Sequence, residues 1–448
     1  MELMRYKLED IADFNKTSIA QNEHSVIDYL DTGSITENVI SEVSTLKISD
    51  APSRAQRKVT HNTIVYSTVR PRLKHYGILS YPKDNFIVST GFTTIDIKDT
   101  YKDKIDAQYL YLLLTQSNIT EYLVNIADTA VSAYPSIKAS DISTLTFKFP
   151  DIEIQRSISR IWHDYHSNIE LNRVINQNLE AMAKQVYDYW FVQFDFPDEN
   201  GRPYKSSGGE MVWNDKLKRE IPKNWGVLQL DKLCSFRNGI NYAKDEIGEP
   251  FPIVNVRNIS SSTILLDGED FDVITVPVKK AENYILTDKD IIIARSGCPG
   301  STRLLQNSQK TLFCGFIICC TPYDSYMRYF LTYVLKGLEG SSATTSGGSI
   351  LQNVSQDTLK SLWVAVPRID LLIRFNKMID NLLKQMCINL QTAKEMIKQR
   401  DELLPILMNG QVLVNSDLTA ILNLFPQKST IYKYTWVYSH KIIKLVVL

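Results

Sequence analysis

Leu371-Leu372-Ile373-Arg374-Phe375-Asn376-Lys377-Met378-Ile379-Asp380-Asn381-Leu382-Leu383 opens a run in which Leu372, Ile379, Leu383, Met386, Leu390, Ala393, Ile397, Leu404 and Leu407 recur. With Asn376 and Arg400 in the remaining slots, the steps alternate four and three throughout. That heptad spacing predicts a long helix whose seam packs on a partner helix. A looser series supplies the partner upstream: Ile154, Ile158, Ile161, Tyr165, Ile169, Ile175, Leu179, Met182, Val186 and Tyr189. Each helix is expected to run about 35–40 residues, roughly 55–60 Å at 1.5 Å per residue. Pro405 is expected to kink or end the second helix near Leu404.

Outward from these helices the chain repeats itself. Leu8–Phe14 aligns with Leu230–Phe236, His61–Ser67 with Lys289–Arg295, Ser89–Ile95 with Phe313–Cys319, and Phe147–Ile152 with Val364–Ile369. The order never changes, and the offsets drift as loop insertions make them drift. Within each copy, short β-branched runs such as Ile64-Val65-Tyr66, Phe86-Ile87-Val88 and Ile291-Ile292-Ile293 read as strands. Helical segments are expected at Ala107–Gln116 and Met327–Leu335. The expected organisation is globular units at 1–150 and 225–367, helical segments at 151–193 and 368–414, and a connector at 194–224. The connector, from Phe194 through Gly209, is rich in Gly, Pro, Ser and Asn, and its aromatics predict that it lies against a surface. Residues 415–448 have no counterpart in the first copy. The fold class is α+β.

The 448 residues carry 50 basic and 50 acidic side chains, with 44% hydrophobic residues. Hydrophobicity is too high for a disordered chain. The apolar run Phe313–Cys320 falls far short of the ~20 residues of a membrane helix. Met1–Ile11 lacks an apolar signal core. Six irregularly spaced cysteines make neither a disulfide framework nor a C-x-x-C zinc pair. A soluble cytoplasmic protein is expected. The charge balance excludes a chain that grips nucleic acid alone through a basic stripe.

No dinucleotide-binding turn, P-loop or H-E-x-x-H is present. Gly340–Gly348 is rich in glycine and hydroxyls but has no phosphate-binding lysine. His163 and His166 read as solvated helix positions. Pro150-Asp151-Ile152-Glu153 faintly resembles a nuclease carboxylate pair, but Gln155 stands near the place of the lysine, and the stretch reads as a helix start with acidic residues in its first turn. No catalytic, metal or cofactor site is expected. What remains are loop residues of the types that read base edges, Arg and Lys favouring guanine and Asn and Gln favouring adenine. They are Thr68, Arg70, Arg72, Lys74, His75, Tyr76, Ser132, Tyr134, Ser136 and Lys138 in the first copy. The second copy offers Arg237, Asn238, Asn255, Arg257, Asn258, Arg295, Ser296, Arg303, Thr344, Thr345, Ser346, Ser349 and Gln352.

Nearly the whole chain, about residues 5–414, resembles the specificity subunit of type I restriction–modification systems. The connector carries the resemblance most strongly, from Trp190-Phe191-Val192-Gln193-Phe194-Asp195-Phe196-Pro197 through Asn200–Trp213 to Glu220-Ile221-Pro222-Lys223-Asn224-Trp225. The exits Phe149-Pro150 and Val366-Pro367 and the ending Leu403–Val412 add to it. The resemblance implies two target-recognition domains joined by two long helices in an antiparallel coiled coil, with a pseudo-two-fold axis. Each domain reads one half of a split double-stranded DNA sequence. The helices carry two methyltransferase subunits, which bring S-adenosylmethionine, and through them restriction subunits. Two departures stand out: Met4-Arg5-Tyr6-Lys7-Leu8 lacks an equivalent of Ile221–Trp225, and the tail after Val414 overshoots the usual end. A coiled-coil scaffold whose globular parts bind proteins is the alternative.

Overall fold

In the computed structural model, the run Ile64-Val65-Tyr66 becomes the strand Thr63–Ser67, every residue of it buried. A strand covered on both faces reads as a continuous apolar run. It lies between Phe92–Ile97 and Tyr76–Leu79, both antiparallel to it, and Ala12–Phe14 completes the sheet beyond Phe92–Ile97. A second sheet orders Ser44–Lys47, Val26–Leu30, Phe86–Ser89 and Ala55–Lys58, with a parallel pair between Val26–Leu30 and Phe86–Ser89. Helix Ala107–Leu114 starts where the Asp106 carboxylate accepts the Tyr109 N–H at 2.8 Å, satisfying one orphan donor of the first turn. Its residues Tyr109 to Leu114 are all buried. Met4–Lys7 pairs with Thr146–Phe149, and Pro150 separates that pair from the first long helix.

The structure describes residues 3–20, 23–129, 135–243, 246–266, 271–306, 310–339 and 354–408. They fall into two units, Met1–His166 with Lys398–Leu448, and Ser167–Ile397. The second unit repeats the topology of the first. Gly226–Gln229 pairs with Trp363–Val366. Cys234–Asn238, Ile317–Pro322, Ile291–Ala294 and Thr302–Leu305 follow in the order of their counterparts, with Leu265–Leu266 added at the edge. Glu249–Val254 runs parallel to Leu312–Phe313, and Arg328–Lys336 takes the place of Ala107–Leu114. No helix among the described residues is long and apolar enough to cross a membrane.

The long helices span Ile152–Tyr187, 36 residues, and Ile369–Met408, 40 residues. The first passes into a π-helical turn at Asp188–Val192. Pro405 does not end the second helix, which continues through it to Met408; there it removes a single backbone donor. Of the seam residues, Ile158, Ile161, Leu372, Ile379, Leu383 and Met386 are buried. Tyr165, Ile175, Leu179, Met182, Val186, Leu390 and Leu404 are half-buried. Ile397 is a correction: it is 38% exposed, as is Tyr189 at 37%. Leu404 and Leu407, later in the same series, are half-buried and buried, so the exposure is local to Ile397. On the first helix the most deeply buried positions include Trp162, Asn172, Asn176 and Ala183. They complete an alternation of four and three through Ile158, Trp162, Tyr165, Ile169, Asn172, Asn176, Leu179, Ala183, Val186 and Trp190, from which Ile175 and Met182 are displaced.

Asn176 and Asn389 meet inside the second unit. The Asn389 amide donates to Asn176 Oδ1 at 2.8 Å, and Asn176 Nδ2 donates to the Met386 carbonyl at 3.1 Å. Asn176→Ala strands a buried amide donor and is expected to cost about 1–3 kcal/mol. The double change N176L/N389L removes both partners, so it should recover most of that loss. Urea denaturation of the two variants checks this; equal losses would show that the pair contributes packing only.

The connector is folded. Phe194, Phe196 and Trp225 are 2%, 6% and 7% exposed. Phe196 stacks on Tyr204 at 4.7 Å and on Trp225 at 5.4 Å, and Phe194 meets Trp225 edge-on at 5.3 Å. Asp195 accepts the Ser206 N–H at 2.7 Å and its hydroxyl at 2.6 Å. Gly201 and Gly208 take the left-handed φ angles of +76° and +94° that the turns require.

Candidate nucleic-acid interface

The central ladder of the first unit ends with Ser67 opposite Phe92. One step further, the Thr68 N–H donates to the Gly91 carbonyl at 2.8 Å, and the Thr68 carbonyl accepts the Ile137 N–H at 2.8 Å. The second unit ends its ladder in the same way. Ala294 stands opposite Ile317. Then the Arg295 N–H donates to the Phe316 carbonyl at 2.9 Å, and the Arg295 carbonyl accepts the Val354 N–H at 3.0 Å. Thr68 and Arg295 are therefore equivalent positions, as are Gly91 and Phe316; this corrects by one residue the sequence alignment, which sets Ser67 against Arg295 and Gly91 against Gly315. In both units the sheet hands the chain to loops at this point.

In the first unit the loop 68–75 is held against residues 135–138. Val69 bridges Ser136, and the Arg70 N–H donates to the Pro135 carbonyl at 2.9 Å. The 3₁₀ turn Pro71–Leu73 is flanked by Arg70 at φ 49° and Lys74 at φ 55°. Non-glycine residues rarely adopt this conformation, and it persists where surrounding structure enforces it. Arg72 reaches Asp128 at 3.4 Å, Lys74 reaches Glu37 at 2.5 Å, and His75 Nδ1 lies 2.6 Å from the Ile35 carbonyl. Arg70, Arg72, Lys74 and Lys138 are exposed, and Ser136 is half-buried. The Thr68 hydroxyl is engaged with the Gly91 carbonyl at 2.8 Å. Tyr76 is a correction: it is 4% exposed, its ring stacked on Tyr66 at 5.3 Å. Burial pushes its phenol well above the ordinary tyrosine range, and it belongs to the core.

The second unit brings together Arg295, exposed, and Ser296, half-buried, on the loop 295–301. That loop lies against the short helix Val256–Ser261: a Cβ added at Gly297, φ +79°, would meet Val256 Cγ1 at 2.9 Å. Arg257 pairs with Asp272, whose other oxygen accepts the Asn255 amide at 2.8 Å. Asn238 is exposed at the end of its strand. Three candidates are structural instead. Arg237 donates to the Asn283 carbonyl at 2.8 Å, the Ile285 carbonyl at 3.1 Å and Asp290 at 2.8 Å. Arg303 is 5% exposed and donates to the Ser262 carbonyl at 3.1 Å and to Glu339 at 3.0 Å. Asn258 is 9% exposed, its Oδ1 accepting the Asn255 N–H at 2.8 Å. Ser132, Tyr134, Thr344, Thr345, Ser346, Ser349 and Gln352 lie outside the described residues, as do the tail 415–448 and the end of the Leu403–Val412 stretch.

Gln155 is fully buried, donating at 2.8 Å to the Lys104 and Pro150 carbonyls, so it clips the helix start in place. The residue that sequence reasoning missed is Phe316, 64% exposed beside Arg295. Its only signal was the preceding Gly315, which breaks the apolar run Phe313–Cys320 into a turn. Electrostatically the interface is modest. Arg72, Lys74 and Arg257 each meet a carboxylate, while no described carboxylate pairs with Arg295.

Residues 2–181 match the family described as the type I restriction modification DNA specificity domain. The chain is 23% identical over 467 aligned positions to the type I restriction enzyme HindI specificity subunit of Haemophilus influenzae, covering 91% of this chain and 99% of that one. It is 24% identical over 378 positions to the MjaIX specificity subunit of Methanocaldococcus jannaschii, covering 81% and 83%. Among solved structures, the type I restriction–modification S subunit from M. genitalium shares the fold, with a TM-score of 0.51 at 15% identity over 91% of this chain and 96% of that one.

Proposed function

We propose that this chain is a specificity subunit of a type I restriction–modification system, the kind of protein to which it is similar, and that it reads a bipartite double-stranded DNA target, one half-site through each unit. The identical ladder ends at Thr68–Gly91–Ile137 and Arg295–Phe316–Val354 carry this reading. One backbone frame, used twice, presents two different sets of side chains, which is what reading two different half-sites requires. The chain is a non-catalytic subunit. Methyltransferase subunits, two in number, dock on the long helices and bring the reaction, and restriction subunits join through them. Leu171, Val174 and Ile388, 46%, 46% and 50% exposed on the helices of the second unit, are apolar positions for such docking. A net charge of zero gives little phosphate neutralisation, so much of the electrostatic clamp comes from the partners.

The test exchanges residues 225–367 for the equivalent unit of another specificity subunit, supplies the modification subunits and maps methylated adenines across the genome. One half of the target sequence should change and the other persist. An unchanged methylation pattern would overturn the bipartite reading and favour a protein-binding scaffold.

A further inference from the structure

The pairing register Ile291 with Cys320 to Ala294 with Ile317 continues through the Arg295 N–H to Phe316 carbonyl bond. Residues opposite one another in an antiparallel pair project from the same face with Cβ atoms about 4.5–5.5 Å apart. Arg295 and Phe316, joined by that backbone bond, stand next to one another just beyond the end of the sheet, both exposed. A single exposed aromatic ring is common on protein surfaces, so exposure alone decides nothing. Its place does. The ring occupies the site whose equivalent in the first unit is Gly91, where a Cβ would lie 2.8 Å from Thr32 Cγ2 and a side chain would have to displace Thr32.

The turn beneath Phe316 is firmly held. The Ile317 N–H donates to the Cys314 carbonyl at 2.9 Å, the Ile240 N–H donates to the Phe313 carbonyl at 2.8 Å, and Ile240 bridges Cys314. Gly239 permits that approach, since a Cβ there would lie 2.1 Å from the Cys314 carbonyl oxygen. A ring on a fixed turn loses little freedom on binding. About a third of its surface is already covered. Insertion between base pairs needs both faces, whereas packing on a base edge needs one.

Resting on the proposed DNA reading, we propose that Phe316 and Arg295 form a two-residue reader for the half-site of the Ser167–Ile397 unit. The ring packs on the 5-methyl group of a thymine in the major groove, and the guanidinium takes the O6 and N7 acceptors of a neighbouring guanine. The first unit has Thr68 and Gly91 at these positions, so it presents neither an aromatic ring nor a guanidinium there.

The test uses the full chain assembled with its modification subunits and duplexes bearing its mapped target, with each thymine of this half-site replaced in turn by uracil. At one position, uracil should weaken binding by the wild-type complex about fourfold, the value of one buried methyl group. F316A should weaken binding to the thymine duplex by at least as much and no longer distinguish thymine from uracil there. F316M, which retains apolar bulk, should keep part of the discrimination. Thermal melting at the wild-type midpoint shows that F316A is folded, as expected for a ring mostly in water. Discrimination by F316A equal to wild type at every position overturns the proposal, as does wild-type indifference to uracil throughout the half-site. Failure of the wild-type complex to prefer its own duplex overturns the DNA reading itself.

Discussion

Asp290→Ala is expected to destabilise the Ser167–Ile397 unit by about 2–4 kcal/mol. Asp290 is 3% exposed and gathers the Arg237 guanidinium at 2.8 Å, the Thr287 N–H at 2.8 Å, the Thr287 hydroxyl at 3.1 Å and the Thr321 hydroxyl. Removing the acceptor strands a charge and three further donors. Breaking a fully buried pair by deleting one partner costs roughly 3–5 kcal/mol. Arg237 retains about a third of its exposure, so water offsets part of that cost. Arg237 was also a candidate base reader, and the two roles separate cleanly. R237A should lower the urea midpoint and leave the methylated sequence unchanged. The double change R237A/D290A should cost less than the sum of the singles by more than about 1 kcal/mol, as close charged partners couple. Additive losses, or an altered target sequence with R237A, would return Arg237 to the interface.

That case shows where sequence reading stops. The repeat was legible because buried strands are continuous apolar runs and because the ends Phe149-Pro150 and Val366-Pro367 recur in order. The connector was legible as a surface-hugging segment because its aromatics, Phe194, Phe196 and Tyr204, have no reason to occur in a free tether. Arginine carries no mark of its partner, however. Arg237, Arg303 and Arg295 look alike in sequence, and only the folded chain brings Asp290 to the first, Glu339 to the second and no described carboxylate to the third. The seam of the first helix was drawn partly off its buried face for the opposite reason. Apolar periodicity cannot see Asn172 and Asn176, which are buried because their amides are satisfied, by the Asn168 carbonyl for Asn172 and across the helix pair for Asn176. Ile175 and Met182 were chosen in their stead. Phe316 was hidden in a run whose other residues are mostly core.

Acidification is expected to weaken the unit Met1–His166 with Lys398–Leu448 through His166, a histidine whose sequence position suggested only solvent. Four residues after Trp162 on the helix, its ring stacks on that indole at 4.6 Å with 8° between planes. Its Nε2 lies 3.3 Å from the Asn38 amide nitrogen, a donor, which fixes Nε2 as the acceptor of a neutral ring. Burial first, then the positive charges of Arg400 and His163, push its pKa down to about 4 from 6.5. Between pH 4 and 6.5 the unfolded chain therefore binds a proton that the folded chain refuses. Stability from this group is fully present above pH 6.5 and falls as pH drops toward 4. The loss amounts to about 2 kcal/mol at pH 5 and up to about 3 kcal/mol below pH 4. His166→Gln cannot titrate, so the stability difference between wild type and H166Q should shift by about 2 kcal/mol from pH 7 to pH 5. Urea unfolding of the two proteins at both pH values measures it. Parallel pH dependences for the two proteins would mean that His166 is protonated equally in both states, and that the Trp162 stack and Asn38 contact place no constraint on its charge.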